Sequence, residues 1–377
     1  MGRVSSTDLP HDDLGAAWRA ARPAAAGRHL DSAACSRQST RVLDAVARHA
    51  RHEAEVGGYV AAAEADSLLQ QGRSVIGGLV GMAAADVAFV ESASAALIAL
   101  LAAWRHPPDA RVAVLPGEYG ANEARLRAAG FALVRLPVDG DGRAVPDGVE
   151  RLLAADPPAF VHLTHLASHR GVVQPADEVA RVCRAAGVPL VVDAAQSLGH
   201  VDVDLGADVV YGTSRKWLAG PRGVGFLCAR PAVAARLAAA LPVPDGVAPV
   251  LALESSEAHV AGRVGLVLAI GEHLAATPHQ VRERLAAVGR LTRTVLEGVA
   301  GWQVVEPVDE PTAITTLAPP YGVDVVATRE RLRIEHGIVT TAIGTERAPR
   351  ELTGPTLRVS PHLDVTADDL AALAAAL

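Results

Sequence analysis

Short apolar runs alternate with helix-forming stretches between about residues 85 and 230 of the chain. The predicted strands are Val87–Glu91, Arg111–Leu115, Ala132–Val138, Ala159–Leu166, Pro189–Asp193, Ala207–Thr213 and Val224–Cys228, and the predicted helices lie near residues 93–105, 119–129, 146–155 and 175–187. Strands without polar alternation, each followed by a helix, indicate a mostly parallel sheet that is covered by helices on both faces. We therefore predict an α/β fold for this part of the chain.

The pattern changes after about residue 260. Long helices come first, Gly262–Ala275 and Pro278–Val299, and then short strands, Trp302–Glu306, Ala313–Leu317, Ile338–Ile343 and Leu357–Ser360. A last helix begins after Thr366, whose hydroxyl can cap it. We expect three parts: an N-terminal segment (residues 1–27) that packs with the small domain, a large domain (28–260) and a smaller α+β C-terminal domain (261–377).

Composition narrows the classes of function. The formal net charge is −7 and no basic run stands out, which argues against a nucleic-acid partner. Three widely spaced cysteines are typical of a reducing compartment. We see no apolar stretch long enough to span a bilayer and no signal-peptide core before His11, so we expect a cytoplasmic protein without a membrane partner.

A single lysine, Lys216, stands among 34 arginines. Arginine stays protonated, so it serves neither as a nucleophile nor as a base, whereas lysine can form a Schiff base with an aldehyde cofactor such as pyridoxal 5′-phosphate (PLP). The alternative is an ordinary surface lysine. The residues around other predicted strand ends decide between the two.

The segment Val191-Val-Asp-Ala-Ala-Gln196 resembles a motif of the aminotransferase class V family, PLP enzymes of fold-type I architecture. The resemblance implies that Asp193 pairs with the pyridine nitrogen of PLP, that Ala195 packs on the ring and that Gln196 reaches its phenolic oxygen. A carboxylate there would keep the nitrogen protonated and so draw electrons from the substrate Cα. A strand-end aspartate that caps the next turn is the alternative for Asp193.

Further residues follow from the same resemblance. Thr213 and Arg215, before Lys216, take the places of phosphate ligands, and so do Ala93 and Ser94 at a predicted helix start. Tyr119 takes the place of a histidine that stacks on PLP and acts as an acid or base, and Ser168 takes that of an asparagine near the phenolic oxygen. Arg358 matches the arginine that binds the substrate carboxylate, and Ala34 lies in a segment whose backbone follows the substrate. For the histidines at 162, 165 and 169 we do not favour a metal site.

Longer strings, among them Ser214-Arg-Lys-Trp-Leu-Ala-Gly-Pro-Arg-Gly-Val-Gly225, resemble one branch of this family, the C–S lyases of ergothioneine biosynthesis. That resemblance implies β-elimination from a sulfur-containing amino acid, hercynylcysteine sulfoxide, which gives pyruvate, ammonia and a sulfenic acid that goes on to ergothioneine. Lys216 would be the base at Cα. Residues 340–354 contain no cysteine, which disfavours a desulfurase mechanism.

The sequence says less about substrate recognition and about the oligomeric state. His52 and Tyr59 are candidate substrate-binding residues, and Tyr59, Tyr119 and Trp217 offer aromatic faces for a trimethylammonium group. Tyr59 and Trp217 could instead be packing residues. We expect a homodimer with active sites at the interface, in which Glu257 replaces a family threonine near the neighbour's phosphate and Arg263 could substitute. The alternatives are an isopenicillin N epimerase-like epimerase, a desulfurase-like lyase and a non-catalytic PLP-fold binding protein.

Overall fold

The computed structural model describes residues 9–237, 247–255 and 257–377, so residues 1–8 of the predicted N-terminal segment and Ser256 lie outside the described part. The strands are β1 Arg28–His29, β2 Val87–Val90, β3 Arg111–Val114, β4 Ala132–Arg135, β5 Phe160–Thr164, β6 Leu190–Asp193, β7 Val209–Thr213, β8 Gly225–Ala229, β9 Gln303–Val304, β10 Thr315–Ala318, β11 Ile338–Val339, β12 Thr341–Ile343 and β13 Thr356–Val359. The helices are α1 Asp12–Ala20, α2 Thr40–Val56, α3 Gly58–Leu79, α4 Ala93–Ala103, α5 Gly120–Ala128, α6 Pro146–Ala155, α7 Ala176–Ala186, α8 Pro231–Ala234, α9 Val260–Ala275, α10 Pro278–Leu296, α11 Val325–His336 and α12 Ala367–Ala376.

The large sheet has the strand order β2-β8-β7-β6-β5-β3-β4 within the described residues. Strand β8 runs antiparallel to both of its neighbours, and the other pairs are parallel. Strands β5, β6 and β7 are buried along their whole length. Helices α2, α3, α6, α7 and α9 contribute to the core on one face, and α4 and α5 to the core on the other. The predicted mostly parallel sheet between two helical layers is confirmed.

A smaller sheet, in the order β12-β13-β10-β9, lies nearer the C-terminus and shares a core with α10 and α12. The chain after α1 joins this region, because β1 pairs in parallel with β11 and the Ser32 amide donates to the Ser360 carbonyl at 2.8 Å. Helix α9 packs instead against α2 and α3 beside the large sheet. The division at residues 27 and 260 stays a prediction.

Two details depart from the sequence pattern. The predicted strand Ile338–Ile343 is divided at Thr340 into β11 and β12, which pair with different partners. The sequence pattern did not predict helices α1, α2, α3, α8 and α11. The last helix is confirmed, and the Thr366 hydroxyl and the Asp369 carboxylate form a capping box at its start. Within the described ranges no single helix has the length and apolarity to cross a membrane, although α9 and α10, bent by 84°, pass that test together.

Candidate active site

A cavity of about 340 Å³ lies at the carboxyl ends of the parallel strands, where such sheets bind ligands. Twelve of the predicted site residues line it: Ala34, Ala93, Ser94, Tyr119, Ser168, Asp193, Ala195, Gln196, Thr213, Arg215, Lys216 and Arg358. The remaining two do not. Tyr59 is 93% exposed at the start of α3, and His52 on α2 contacts Glu64. In one copy of the chain the structure therefore does not bring His52 and Tyr59 to this cavity.

Lys216 lies in the connection between β7 and β8, where the chain turns back against the parallel strands. The turn is closed by the Ala219 amide, which donates to the Lys216 carbonyl at 2.9 Å, and Ala219 adopts a left-handed φ of 52°. Burial lowers the pKa of Lys216 to about 7, while Asp193 opposes this shift and the cations of Arg215 and Arg358 add to it. A large fraction of the Lys216 amine is therefore neutral near pH 7, as a nucleophile or a base requires.

Asp193 ends β6, and both of its carboxylate oxygens are held from within the protein. Oδ1 accepts from the Ala195 amide at 2.9 Å, and Oδ2 accepts from Asn122 Nδ2 at 3.1 Å. The Ala195 contact is the turn cap that the sequence allowed as an alternative. It leaves the carboxylate lining the cavity, so the cap and the predicted cofactor contact are compatible.

Behind Asp193 lies a buried polar network. His162 in β5 donates from Nδ1 to Glu118 Oε2 at 2.9 Å and from Nε2 to the Tyr211 hydroxyl at 2.7 Å. Glu118 Oε1 accepts from Thr164 Oγ1 at 2.8 Å and from Asn122 at 3.1 Å. Burial opposes the charge on His162, but Glu118 raises the pKa of His162 above its usual value.

The pKa of Glu118 is lowered by His162 and its hydrogen bonds in spite of burial. Burial, together with the charge of Asp193, raises the pKa of Tyr211 well above its usual value. We assign a charged pair to Glu118 and His162 and a neutral phenol to Tyr211.

One end of the cavity suits an anion. Ser92 caps α4 by accepting from the Ala95 amide, so the amides of Ala93 and Ser94 at the first turn are free to bind a ligand. Thr213 and Arg215 line the same cavity, and burial lowers the pKa of Arg215 without removing its charge at neutral pH. Two helix amides, a hydroxyl and a guanidinium are donors that fit a phosphate group.

Arg358 in β13 is fixed at the opposite side. Its Nη2 donates to Asp31 Oδ1 at 2.9 Å, and its Nη1 donates to the Ser168 carbonyl at 2.9 Å. The Nε of Arg358 is buried without a partner among the described residues. A buried donor that lacks an acceptor costs free energy, which a carboxylate ligand in the cavity would recover.

Two aromatic candidates have different surroundings. Tyr119 lines the cavity, and the guanidinium carbon of Arg347 lies 5.4 Å from the centre of its ring. Trp217 is buried between His200 and His362, and its indole donates to Gln196 Oε1 at 2.9 Å. Trp217 is therefore a packing residue. Gln196 also donates to the Ala33 carbonyl at 2.9 Å, which fixes its side chain beside the segment that contains Ala34.

The histidines at positions 162, 165 and 169 have different surroundings. His162 belongs to the network behind Asp193, and burial lowers the pKa of His165 to about 4. His169 lies 3.3 Å from Glu351. No group of three metal-ligating side chains comes together in residues 9–237, 247–255 and 257–377.

The residues considered for a neighbour's phosphate lie apart from this cavity. Arg263 on α9 donates to Glu254 Oε2 at 3.0 Å, and Glu257 is exposed. Cys183 and Cys228 are buried, and Cys35 is half-buried.

Sequence reasoning missed Glu118, Asn122, His162 and Tyr211, and also Arg222, Thr341 and Arg347 on the cavity wall. A signal existed for the first group. Glu118 and Asn122 are four residues apart, and His162 interrupts an otherwise apolar strand. No such signal marks Arg347, which ends a short 3₁₀ turn after β12.

Comparisons with known proteins agree with this architecture. The sequence model of the aminotransferase class-V family matches residues 28–373. A probable hercynylcysteine sulfoxide lyase of Mycobacterium tuberculosis is 54% identical over 381 aligned residues, which cover 100% of this chain and 96% of that protein. A 2-aminoethylphosphonate–pyruvate transaminase of Burkholderia pseudomallei is 38% identical over 154 residues, 39% of this chain and 40% of that protein.

Solved structures match nearly the whole fold. The cysteine desulfurase CsdA of Escherichia coli superposes with a TM-score of 0.83 at 21% identity, over 96% of this chain and 97% of that one. The cystine C–S lyase C-DES, in complex with cysteine persulfide, gives a TM-score of 0.83 at 18% identity, over 93% and 97%. The predicted fold-type I architecture is confirmed.

Proposed function

The chain belongs to the aminotransferase class-V family, and from that premise we propose that it cleaves the C–S bond of hercynylcysteine sulfoxide by PLP-dependent β-elimination. The observation that carries the proposal is a relative named for that activity, 54% identical over the whole chain. The cavity supports it, because the only lysine and the strand-end aspartate line the same space.

The residues present fit PLP. We propose that Lys216 binds its aldehyde, that Asp193 pairs with its pyridine nitrogen and that Tyr119 and Ala195 pack against its ring. Thr213, Arg215 and the amides of Ala93 and Ser94 would hold its phosphate, and Ser168 and Gln196 would lie near its phenolic oxygen. When bound, PLP supplies an electron sink for a carbanion at the substrate Cα.

Arg358 and Lys216 have the two remaining roles, substrate binding and proton transfer. Arg358 binds the α-carboxylate and fixes the orientation of the Cα–H bond. The Lys216 amine would be free when the substrate is bound and would accept the Cα proton. The electron pair of that bond forms the Cα–Cβ double bond, and the pair of the Cβ–S bond leaves with sulfur as a sulfenate. Water then hydrolyses the released 2-aminoacrylate to pyruvate and ammonium.

A persulfide mechanism lacks a suitable thiol. Burial raises the pKa of Cys183 to about 12, and burial also holds the pKa of Cys228 far above its usual value, so neither is a thiolate at neutral pH. Residues 340–354 contain no cysteine. These observations favour elimination over desulfuration.

We further propose a homodimer in the cytoplasm. Tyr59 and Val60 form an exposed apolar pair at the start of α3, 93% and 49% accessible, which a second copy would cover. In such a dimer His52 and Tyr59 would serve the neighbour's cavity, as their predicted role in substrate binding requires. Light scattering of the purified protein measures the oligomeric state, and a monomer at micromolar concentration would contradict the proposal.

The test of the function is incubation of the PLP-loaded protein with hercynylcysteine sulfoxide, followed by lactate dehydrogenase detection of pyruvate. We expect pyruvate and ammonium in equal amounts. Release of alanine would indicate desulfuration, and recovery of epimerised substrate would indicate an epimerase. Absence of a visible cofactor absorbance after reconstitution would exclude a PLP enzyme of any kind.

A further inference from the structure

Arg347 is a cation without an acidic partner in the described residues. Other charged residues of the same segment are paired: Arg350 lies 3.5 Å from Glu123, and Glu351 lies 3.1 Å from Arg170. No hydrogen bond or ion pair of the Arg347 side chain is found in residues 9–237, 247–255 and 257–377, and its guanidinium carbon lies 5.4 Å from the centre of the Tyr119 ring. Arg347 is half-buried and lines the cavity, so a ligand there can reach its charge.

The cavity has more cations than the proposed chemistry has anionic groups, and Arg347 is the one without an assigned ligand. Four guanidinium groups and the Lys216 amine line the cavity, while Asp193 is its only acidic lining residue. A phosphate accounts for Arg215, and the substrate α-carboxylate accounts for Arg358. Arg222 is exposed at the rim. The half-buried guanidinium of Arg347 is therefore available to bind a further anion.

The position of Arg347 near Arg358 indicates that this further anion belongs to the substrate. Arg347 follows β12, and Thr341 of β12 pairs in register with Arg358 of β13, so both arginines belong to the same sheet region. Arg347 also lies over Tyr119, and a guanidinium on that ring excludes a trimethylammonium group from the same face. The leaving group would thus present an anionic end here, not its cation.

We propose that Arg347 forms a second carboxylate subsite, so that the substrate class is cysteine S-conjugates whose sulfur substituent carries its own carboxylate. This inference rests on the proposed function, since hercynylcysteine sulfoxide has a betaine carboxylate beside its trimethylammonium group. Arg358 binds the α-carboxylate and Arg347 binds the distal one, which aligns the Cβ–S bond between two fixed ends.

The test compares Arg347→Gln with wild type on two substrates, hercynylcysteine sulfoxide and its analogue without the betaine carboxylate. Wild type should prefer the dicarboxylate by about 10- to 100-fold in kcat/KM, the range of a charge-assisted hydrogen bond. Arg347→Gln should remove that preference through KM and leave turnover of the analogue within about threefold. Arg350→Gln, a change of the same kind at a paired arginine outside the cavity, should behave as wild type.

A binding measurement separates the inference from catalysis. Calorimetric titration of the PLP-loaded protein with hercynine, the leaving group without its sulfur, should give about 10-fold or weaker binding in Arg347→Gln, with PLP affinity unchanged. If wild type releases pyruvate but Arg347→Gln keeps the preference, or if its PLP affinity falls instead, the subsite is overturned and the proposed function stands. If wild type releases no pyruvate from hercynylcysteine sulfoxide, both proposals fail.

Discussion

The two walls of the cavity differ in whether their charged side chains are paired. On the large-sheet wall, Asp193 and the Glu118–His162 pair are buried, and each carboxylate oxygen has a donor. On the wall formed by the small sheet and the β7–β8 connection, Arg347 and Arg222 have no acidic partner among the described residues, and Arg358 keeps an unpartnered Nε.

The difference indicates what each wall does. Buried charges that are already paired and hydrogen-bonded hold a fixed orientation before any ligand binds, which is the arrangement that electrostatic catalysis requires. Unpaired cations instead gain their partners from the ligand. We therefore propose that the large-sheet wall holds the fixed charges of the site, and that the cations of the opposite wall select the anionic groups of the substrate.

Lys216→Ala should have the largest effect, because in the proposed mechanism the Lys216 amine, in the β7–β8 connection, accepts the proton from Cα. We expect pyruvate release to fall by at least about 10³-fold, within the range that general acid–base groups supply. Borohydride reduction of wild type should attach PLP to the peptide that contains Lys216, detected by mass spectrometry. A labelled peptide from Lys216→Ala would contradict the assignment.

Glu118→Gln should be the most destabilising change on the paired wall. Removing one partner of a buried ion pair costs about 3–5 kcal/mol in the free energy of unfolding, measured by urea denaturation. Glu351→Gln, which removes a carboxylate shared by Arg170 and His169 but still 22% exposed, should cost less, about 1 kcal/mol. Equal costs would remove the distinction between the two walls.

The difference in the free energy of unfolding between wild type and Glu118→Gln should depend on pH in a defined direction. The raised pKa of His162 gives stability that is complete below its ordinary 6.5 and is lost as the pH rises through the folded value. The lowered pKa of Glu118 gives stability that is complete above its ordinary 4.5 and is lost as the pH falls through the folded value. The gap between wild type and Glu118→Gln should therefore be widest between pH 4.5 and 6.5.

The paired wall also shows what the sequence could predict. Lys216 was singled out as the only lysine, and Asp193 and Thr213 by a resemblance to family motifs; the strand pattern adds that Asp193 and Lys216 fall at or just past strand ends, which meet at one edge of a parallel sheet. The network was missed, because burial of Glu118 beside His162 depends on two segments 44 residues apart. Arg347 was missed because its lack of an acidic partner among the described residues is visible only in the structure. His52 and Tyr59 were predicted from local strings, and their role stays a prediction because neither lines the cavity in one copy of the chain.

The pH response of Lys216 measures how the unpaired cations act on the pKa of the amine on the same wall. The rate at which cofactor-free protein binds pyridoxal should rise through about pH 7, because the neutral amine attacks the aldehyde. Arg347→Gln removes one cation that lowers the pKa of Lys216, so the midpoint should move to higher pH, by less than about one unit. A midpoint near pH 10 in wild type would show that burial leaves the amine unperturbed.

Arg222→Gln should have the smallest effect, and it tests whether every unpaired cation of the second wall is a ligand. Arg222 is exposed in the β7–β8 connection, where solvent screens its charge. An exposed cation at a rim attracts anions mainly during association, so kcat/KM for the dicarboxylate should fall about two- to threefold at low ionic strength. The loss should disappear in about 0.5 M salt, since the Debye length is then roughly 4 Å, while the loss in Arg347→Gln should persist because that contact is half-buried. Equal salt sensitivity of the two variants would mean that the wall attracts anions by its general field and has no dedicated subsite at Arg347.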